Sequence, residues 1–296
     1  MTLPTHTSYT GRFAPSPTGP LHFGSLLAAL ASFLDARAAQ GRWLVRIEDL
    51  DPPREDPTAA ASILQILDAY GLHWDGDVRY QSQRNDVYQA RLEQLRQRGL
   101  AFACQCSRKQ LNGDAHHGDC RCQASSDIAW RFLCPKGDYR FNDALQGEWC
   151  ESLDAIGDFV LKRRDGPWSY QLAVVSDDID QGITHIVRGI DLIDSTARQA
   201  LLYQAFAEPL PAYAHIPVAL EANGQKLSKQ NLARPLTGEN ISATLFQALQ
   251  WLNQAPPADL HGAAPAELLH WATTHWRLSA LHGLREQSAP VYFQRA

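Results

Sequence analysis

The stretch Tyr9-Thr10-Gly11-Arg12-Phe13-Ala14-Pro15-Ser16-Pro17-Thr18-Gly19-Pro20-Leu21-His22-Phe23-Gly24-Ser25 decides the fold. Its first six residues suit a short strand, and the Pro/Gly run at residues 15–20 cannot extend that strand and must turn the chain. Leu26, Leu27, Leu30, Phe33 and Leu34 then recur at helical spacing, which predicts a helix over residues 25–40 with Gly41 as its stop. Residues 43–47 are β-prone and lead into Glu48-Asp49-Leu50-Asp51. Strand, turn, helix and strand in this order make a βαβ unit, with parallel strands and a right-handed crossover. The turn feeds a helix N-terminus, where free N–H groups and the helix dipole favour phosphate. Gly19 and Gly24 permit close backbone approach, and His22 adds an imidazole donor. The pattern is neither a Walker A loop, which needs Gly-Lys-Ser/Thr, nor the dinucleotide fingerprint. Read alone, it fits a functional and a structural His22 equally well.

Outward from this unit, helices are expected over residues 58–70 and 85–98, closed by Gly71 and Gly99. Strands at 159–162, 169–175 and 183–188 follow, then a helix over 195–207. Asn223-Gly224, between β-prone pieces at 218–220 and 226–228, signals a two-residue hairpin. Beyond Pro235 the chain reads as helical over 241–252 and 265–276, the second helix opening on proline. The expected organisation is an α/β Rossmann-type body in two halves, residues 1–99 and 158–235, with an insert at 100–157 and a helical C-terminal region at 236–296. No run nears the roughly 20 apolar residues of a membrane span. Residues 1–9 lack both a basic cluster and an apolar segment, so a cytoplasmic protein with no membrane partner is expected. The 296 residues carry 27 Lys and Arg against 32 Asp and Glu, a net charge of −5. A nucleic-acid partner therefore has to be held by a local basic patch.

Four of the six cysteines crowd into Cys104-Gln-Cys106 and Cys120-Arg-Cys122, with His116 and His117 between them. With no export signal, this spacing argues for metal rather than disulfides, and thiolate with imidazole suits tetrahedral zinc. Residues 112–119 are too polar to fold without such a staple. Cys134 and Cys150 read as small buried hydrophobes.

Residues 17–25 resemble the first signature of the class I aminoacyl-tRNA synthetases, and Gly11 to Gly19 resembles the glutamyl and glutaminyl branch. Lys226-Leu227-Ser228-Lys229-Gln230 is similar to the second signature, with Leu227 for the usual Met and Gln230 for the usual last Ser. Arg46-Ile47-Glu48-Asp49, Tyr170-Gln171-Leu172-Ala173-Val174-Val175 and Val187-Arg188-Gly189 lie between them in the branch's order. The resemblance spans residues 9–235. Only 66 residues follow Gln230, too few for the anticodon-binding part expected of a discriminating glutamyl-tRNA synthetase. A short chain with a Cys-rich insert resembles the glutamyl-queuosine tRNA(Asp) synthetases.

The resemblance implies a class I catalytic domain with an inserted zinc-containing subdomain. It implies ATP with Mg2+, L-glutamate and queuosine-modified aspartate tRNA as partners, and ligation of glutamate to the queuosine base through an adenylate. For glutamate it implies Arg12, Phe13, Ala14, Pro15, Ser16, Glu48, Tyr170 and Arg188. Arg12 and Arg188 suit the side-chain carboxylate, Glu48 the ammonium, and Tyr170 offers a hydroxyl. For catalysis and ATP it implies His22, Gly24, Lys226 and Lys229, with His22 and Lys229 flanking the α-phosphate. The family's zinc pattern is Cys-x-Cys, a tyrosine, and a third Cys four residues later. Here His116 stands where the tyrosine is expected, giving one Zn2+ on Cys104, Cys106, His116 and Cys120, with Cys122 competing for the fourth position. Other readings of the same residues are a trimmed glutamyl-tRNA synthetase charging the 3′ end of glutamate tRNA, a small-molecule nucleotidyltransferase, and a non-catalytic RNA-binding paralogue.

Overall fold

Strand β1 (Thr10–Phe13), buried at every position, pairs in parallel with β2 (Arg42–Ile47), register Thr10↔Arg42 to Phe13↔Val45. Helix α1 (Phe23–Ala38) makes the crossover. The structure, a computed structural model, describes residues 8–106, 111, 115–118, 127–228 and 233–294. Helix α1 starts two residues ahead of expectation because His22 caps it, Nδ1 accepting from the Ser25 N–H at 3.3 Å. At its far end Gln40, at φ +53, takes the left-handed turn. Gly41 is needed for a different reason: a Cβ there would sit 2.4 Å from the Tyr9 carbonyl oxygen.

Helix α2 (Ala59–Ala69) leads to β3 (Arg79–Tyr80), which pairs in parallel with β2. On the other side of β1, the Thr184 N–H donates to the Thr10 carbonyl and the Thr10 N–H to Thr184 Oγ1, both at 2.9 Å. Thr184 immediately precedes β9 (His185–Gly189), and β10 (Ala212–Ile216) pairs with β9 in parallel after helix α6 (Thr196–Phe206). The order β3-β2-β1-β9-β10 reverses between β1 and β9, the point where ligands bind in open α/β sheets. Strand β6 (Asp138–Asp143) joins β10 in parallel at Tyr213↔Asp143 and carries the hairpin partner β7 (Gly147–Ser152). This hairpin belongs to the expected 100–157 insert, yet it extends the main sheet.

Helix α3 (Asn85–Gln97) precedes a separate antiparallel ribbon of β4 (Ala101–Cys104), β5 (Ala129–Phe132) and β8 (Val160–Lys162), which holds the cysteine cluster; α4 (Leu153–Ile156) precedes β8. Residues 169–175, expected as a strand, instead open helix α5 (Tyr170–Asp180), capped by Ser169. Its residues from Leu172 to Asp178 are all buried, and a fully buried run carries no period to separate strand from helix. Asn223-Gly224 does turn the chain, but through a three-residue loop: the Glu221 N–H meets the Gln225 carbonyl at 2.8 Å, Leu220 bridges Lys226, and Gly224 sits at φ +78. Strand β11 (Val218–Leu220) also pairs with an unexpected β12 (Glu286–Ser288).

Helices α7 (Ile241–Trp251) and α8 (Pro265–His275), the latter with Pro at its first position, form as expected. They pack against α1, which explains why that helix is apolar on most sides. Leu172, Leu201 and Leu202 share a second core with Tyr88 and Leu92. Cys150 corrects the expectation of burial: it lies on the outward face of β7 and is exposed, while Cys134 is half-buried. Among the described residues no helix is long and apolar enough to cross a membrane.

Candidate active site

The carboxyl ends of β1 and β9 open into a cavity of about 650 Å3. The end of β1 and the turn after it, residues 12–16, form one wall, and His22, Gly24 and Ser25 bring the head of α1. Tyr170 enters from the first turn of α5, Arg188, Gly189 and Asp191 from the end of β9, and Lys226 and Ser228 from the loop after the hairpin. A second cavity of about 410 Å3 shares Ala14, Ser16 and Tyr170 with it and adds Glu48, Asp51 and Trp168. The Glu48 N–H donates to the Pro15 carbonyl at 3.0 Å, tying the two strand ends together. The structure thus gathers Arg12, Phe13, Ala14, Pro15, Ser16, His22, Gly24, Tyr170, Arg188 and Lys226 at one cavity and puts Glu48 at its neighbour. Lys229 lies outside the described residues.

At the helix head, His22 spends Nδ1 on its capping bond, which leaves the proton of the neutral ring on Nε2. Gly24 explains the tight packing there: a Cβ would lie 3.1 Å from His22 Cε1 and 3.7 Å from the Leu227 carbonyl oxygen. The lysine loop is held against this helix end by a His22–Pro235 bridge and by the Leu236 N–H to the Leu21 carbonyl, 2.8 Å. Lys226 Nζ pairs with Asp191 Oδ2 at 2.5 Å. An amide-rich helix start, an imidazole and an ammonium on one rim can stabilise charge moving across a phosphoryl group.

Beneath the rim the buried charges fall into two sets. Arg12 donates through Nε to Asp178 Oδ1 at 3.2 Å, and Arg46 reaches the same oxygen at 2.7 Å and Glu48 at 3.3 Å. Burial alone would raise the Asp178 carboxyl, but the two arginines override it and hold it below the usual carboxylate range. For Glu48 burial wins: its carboxyl is pushed up to about 7 despite Arg46 and Arg12. Burial likewise raises the Tyr170 hydroxyl, which stands within electrostatic reach of Arg188, Glu48, Arg12 and Asp178.

Arg188 makes no ion pair among the described residues. Nε donates to His215 Nε2 at 3.0 Å, Nη1 to Gln199 Oε1 at 2.8 Å, and Nη2 to Thr196 Oγ1 at 2.9 Å and the Leu192 carbonyl at 3.2 Å. It is 4% exposed, with the Tyr213 ring 5.2 Å away. Sequence reasoning assigned no role to Asp178, Asp191, His215 or Asp143. The legible signal was a charged residue inside an otherwise apolar run, as with Arg46 in β2 and Asp177-Asp178 in α5.

In the ribbon, ligand atoms of Cys104, Cys106 and His116 converge to within 4.8 Å of one another. His116 Nε2 lies 3.5 Å from Cys104 Sγ, while Nδ1 lies 2.8 Å from Asp158 Oδ2. A carboxylate on the far ring nitrogen is the usual way to aim an imidazole at a metal. Gly157, at φ +61, is required beside it, since a Cβ would come 2.6 Å from the His116 carbonyl oxygen. Cys120 and Cys122 lie outside the described residues.

A family model for "tRNA synthetases class I (E and Q), catalytic domain" matches residues 9–127 and 119–244. A curated protein of Pseudomonas fluorescens named Glutamyl-Q tRNA(Asp) synthetase is 52% identical over 283 residues, covering 93% of this chain and 94% of that protein. Its namesake in Thiobacillus denitrificans is 53% identical over 280 residues, covering 90% and 93%. Among solved structures, the glutamate-tRNA synthetase of Elizabethkingia anophelis matches with TM-score 0.79 at 25% identity, over 95% of this chain and 68% of that one. The glutamate tRNA ligase of Elizabethkingia meningosepticum, solved in complex with its amino acid, matches with TM-score 0.80 at 23% identity, over 96% and 68%.

Proposed function

The chain belongs to the glutamyl-Q tRNA(Asp) synthetase family, within the class I tRNA synthetases of the E and Q branch, and we propose that it activates L-glutamate with ATP and Mg2+ and transfers it to the queuosine base in the anticodon of aspartate tRNA. The observation that carries the amino-acid half is Arg188, a buried guanidinium on the cavity wall that has no carboxylate partner among the described residues. An arginine stays charged in a protein interior, so such a site recruits an anion of matching geometry. Arg12 and Arg188 receive the side-chain carboxylate, Tyr170 adds its hydroxyl, and Glu48 pairs with the ammonium.

In the first step the α-carboxylate of glutamate attacks the α-phosphorus of ATP, forming the mixed anhydride and releasing pyrophosphate. The first N–H groups of α1, His22 Nε2, Lys226 and Lys229 receive the charge that builds on the phosphoryl oxygens. No covalent enzyme intermediate is involved; the groups act by position and field. Asp191 holds Lys226 at the rim until the nucleotide arrives. In the second step a hydroxyl of the queuosine diol attacks the carbonyl carbon and AMP leaves. The relatives' names support queuosine as acceptor, as does the likeness of its cis-diol to a terminal ribose. Cys104, Cys106 and His116 supply three of four positions for a structural Zn2+, with Cys120 or Cys122 the fourth, and the ion would fasten the ribbon. The cytoplasm, where ATP and aspartate tRNA meet, is the proposed compartment.

The test is charging with labelled glutamate. Label is expected on aspartate tRNA carrying queuosine, and periodate protection confined to the terminal ribose leaves it unchanged. Equal charging of unmodified tRNA, or label on the terminal adenosine, overturns this reading in favour of a trimmed glutamyl-tRNA synthetase.

A further inference from the structure

We propose that Asp143 and His215 are positioning residues for glutamate: they hold Arg188 at the cavity wall through a neutral imidazole, so that the guanidinium keeps its whole charge for the substrate carboxylate. This rests on the reading of Arg188 given above. Arg188 and His215 are register partners on β9 and β10, and Asp143 ends the neighbouring β6. The three side chains form a line: Asp143 Oδ2 to His215 Nδ1 at 2.6 Å, then His215 Nε2 to Arg188 Nε at 3.0 Å. All three are buried, His215 completely.

The chemistry of the line is fixed by its ends. Arg188 Nε can only donate, so His215 Nε2 must accept, and the ring proton must sit on Nδ1. Asp143 enforces that tautomer. It is itself held still by N–H groups of Leu145 at 2.9 Å, Gln146 at 3.0 Å and His215 at 3.2 Å. Burial and Arg188 both act against protonation of His215, while Asp143 and Asp191 favour it; the balance lies below the ordinary histidine value. Among the described residues, the other side-chain contacts of His215 are Thr196 Oγ1 at 3.4 Å from Nε2 and the stacked Tyr213 ring, neither of them charged. A carboxylate in place of His215 would hold Arg188 as firmly but cancel the charge that the ligand needs. The ring keeps the negative Asp143 one imidazole away. This also gives the β6–β7 hairpin a reason to join the main sheet.

Asp143→Asn tests the idea. It preserves the Oδ1 contacts but turns an amide toward Nδ1, which drives the ring proton to Nε2, against Arg188. Glutamate-dependent pyrophosphate exchange should show a glutamate KM raised roughly tenfold or more, the scale of a lost bond to a charged group. The ATP KM and kcat at saturating glutamate should stay within about twofold, a split that simple loss of fold does not produce. His215→Gln, which keeps a neutral acceptor near the place of Nε2, should retain most glutamate affinity, whereas His215→Leu should lose it. If Asp143→Asn does not fold, this His215 pair answers the same question. An unchanged glutamate KM in Asp143→Asn and His215→Leu, with Arg188→Leu raising it, overturns the inference alone. An unchanged KM in Arg188→Leu overturns the reading of the cavity beneath it.

Discussion

Arg12 and Arg188 reach the same cavity from β1 and β9, both 4% exposed, yet their charges are treated in opposite ways. Arg12 belongs to a compensated lattice, sharing Asp178 with Arg46, which also meets Glu48 and Gln181. Among the described residues, the acceptors around Arg188 are all neutral. A buried cation without a counter-ion opposes folding, and one with a counter-ion attracts a ligand weakly. In the proposed reaction the two walls therefore divide the work: the Arg12 side is an ionic scaffold that offers hydrogen bonds, and the Arg188 side offers field. The expectation that both arginines serve the substrate carboxylate alike becomes a sharper one, in which Arg188 reads charge.

The largest effect should come from breaking the lattice. Asp178→Asn leaves Arg12 and Arg46 buried together without their shared partner, and orphaning one half of a buried ion pair costs about 3–5 kcal/mol. Urea unfolding should show this loss. A change below about 1 kcal/mol would mean that the Asp178 carboxylate is not what balances the two cations.

Next comes selectivity between glutamate and glutamine. Arg188→Gln removes the uncompensated charge and should lower the glutamate-over-glutamine ratio of kcat/KM by roughly 10²-fold, since sites with buried polar partners discriminate by 10⁴ or more. Arg12→Gln should weaken both amino acids by similar factors, because Asp178 already neutralises the charge it removes. Equal loss of selectivity in the two variants would erase the distinction between the walls.

What the sequence disclosed follows the range of the interactions. The β1–α1–β2 unit was legible because a turn, a cap and a helical repeat lie within one short stretch, and the meeting of Arg12, His22 and Arg188 at one cavity because they sit in recognisable strings. The partners that differentiate the arginines were not: Asp178 is 166 residues from Arg12, and Asp143 is 72 from His215. Residues 169–175, which open helix α5 ahead of Asp178, read as a strand because the central run of that helix is buried all round. Strand β10, the source of His215, has an Ala-Tyr-Ala-His-Ile pattern that did not announce itself. The cysteine cluster was legible by spacing, but Asp158 behind His116 was not.

That carboxylate invites a second comparison. His116–Asp158 and His215–Asp143 are both buried imidazole–carboxylate pairs, at 2.8 and 2.6 Å, and each aims Nε2 at a third group. One faces Cys104 and the other Arg188. Asp158→Asn should weaken zinc retention about 10- to 100-fold in chelator competition while leaving the glutamate KM unchanged. Asp143→Asn should do the reverse. Loss of metal in both, or in neither, would show that the two pairs are not separate devices.

The smallest effect is a pH profile, and it separates the walls without removing either arginine's fold. Glu48, raised by burial to about 7, must be ionised for its proposed pairing with the substrate ammonium. At pH 7 about half of the free protein holds it ionised, and at pH 6 only about a tenth does. The glutamate KM should therefore rise about fivefold between pH 7 and 6 and level off above pH 8, while kcat changes less because bound ammonium favours the ionised carboxylate. Glu48→Gln should flatten the profile. Arg12 is one of the cations that pull the Glu48 carboxyl down, so Arg12→Gln should shift the profile toward higher pH. Arg188, held in its neutral cradle across the cavity, should leave the inflection in place when it becomes Gln, even though the KM itself rises. A flat KM between pH 6 and 8 in the parent would remove Glu48 from the ammonium site, and equal shifts in the two arginine variants would show that both walls act on it as one field.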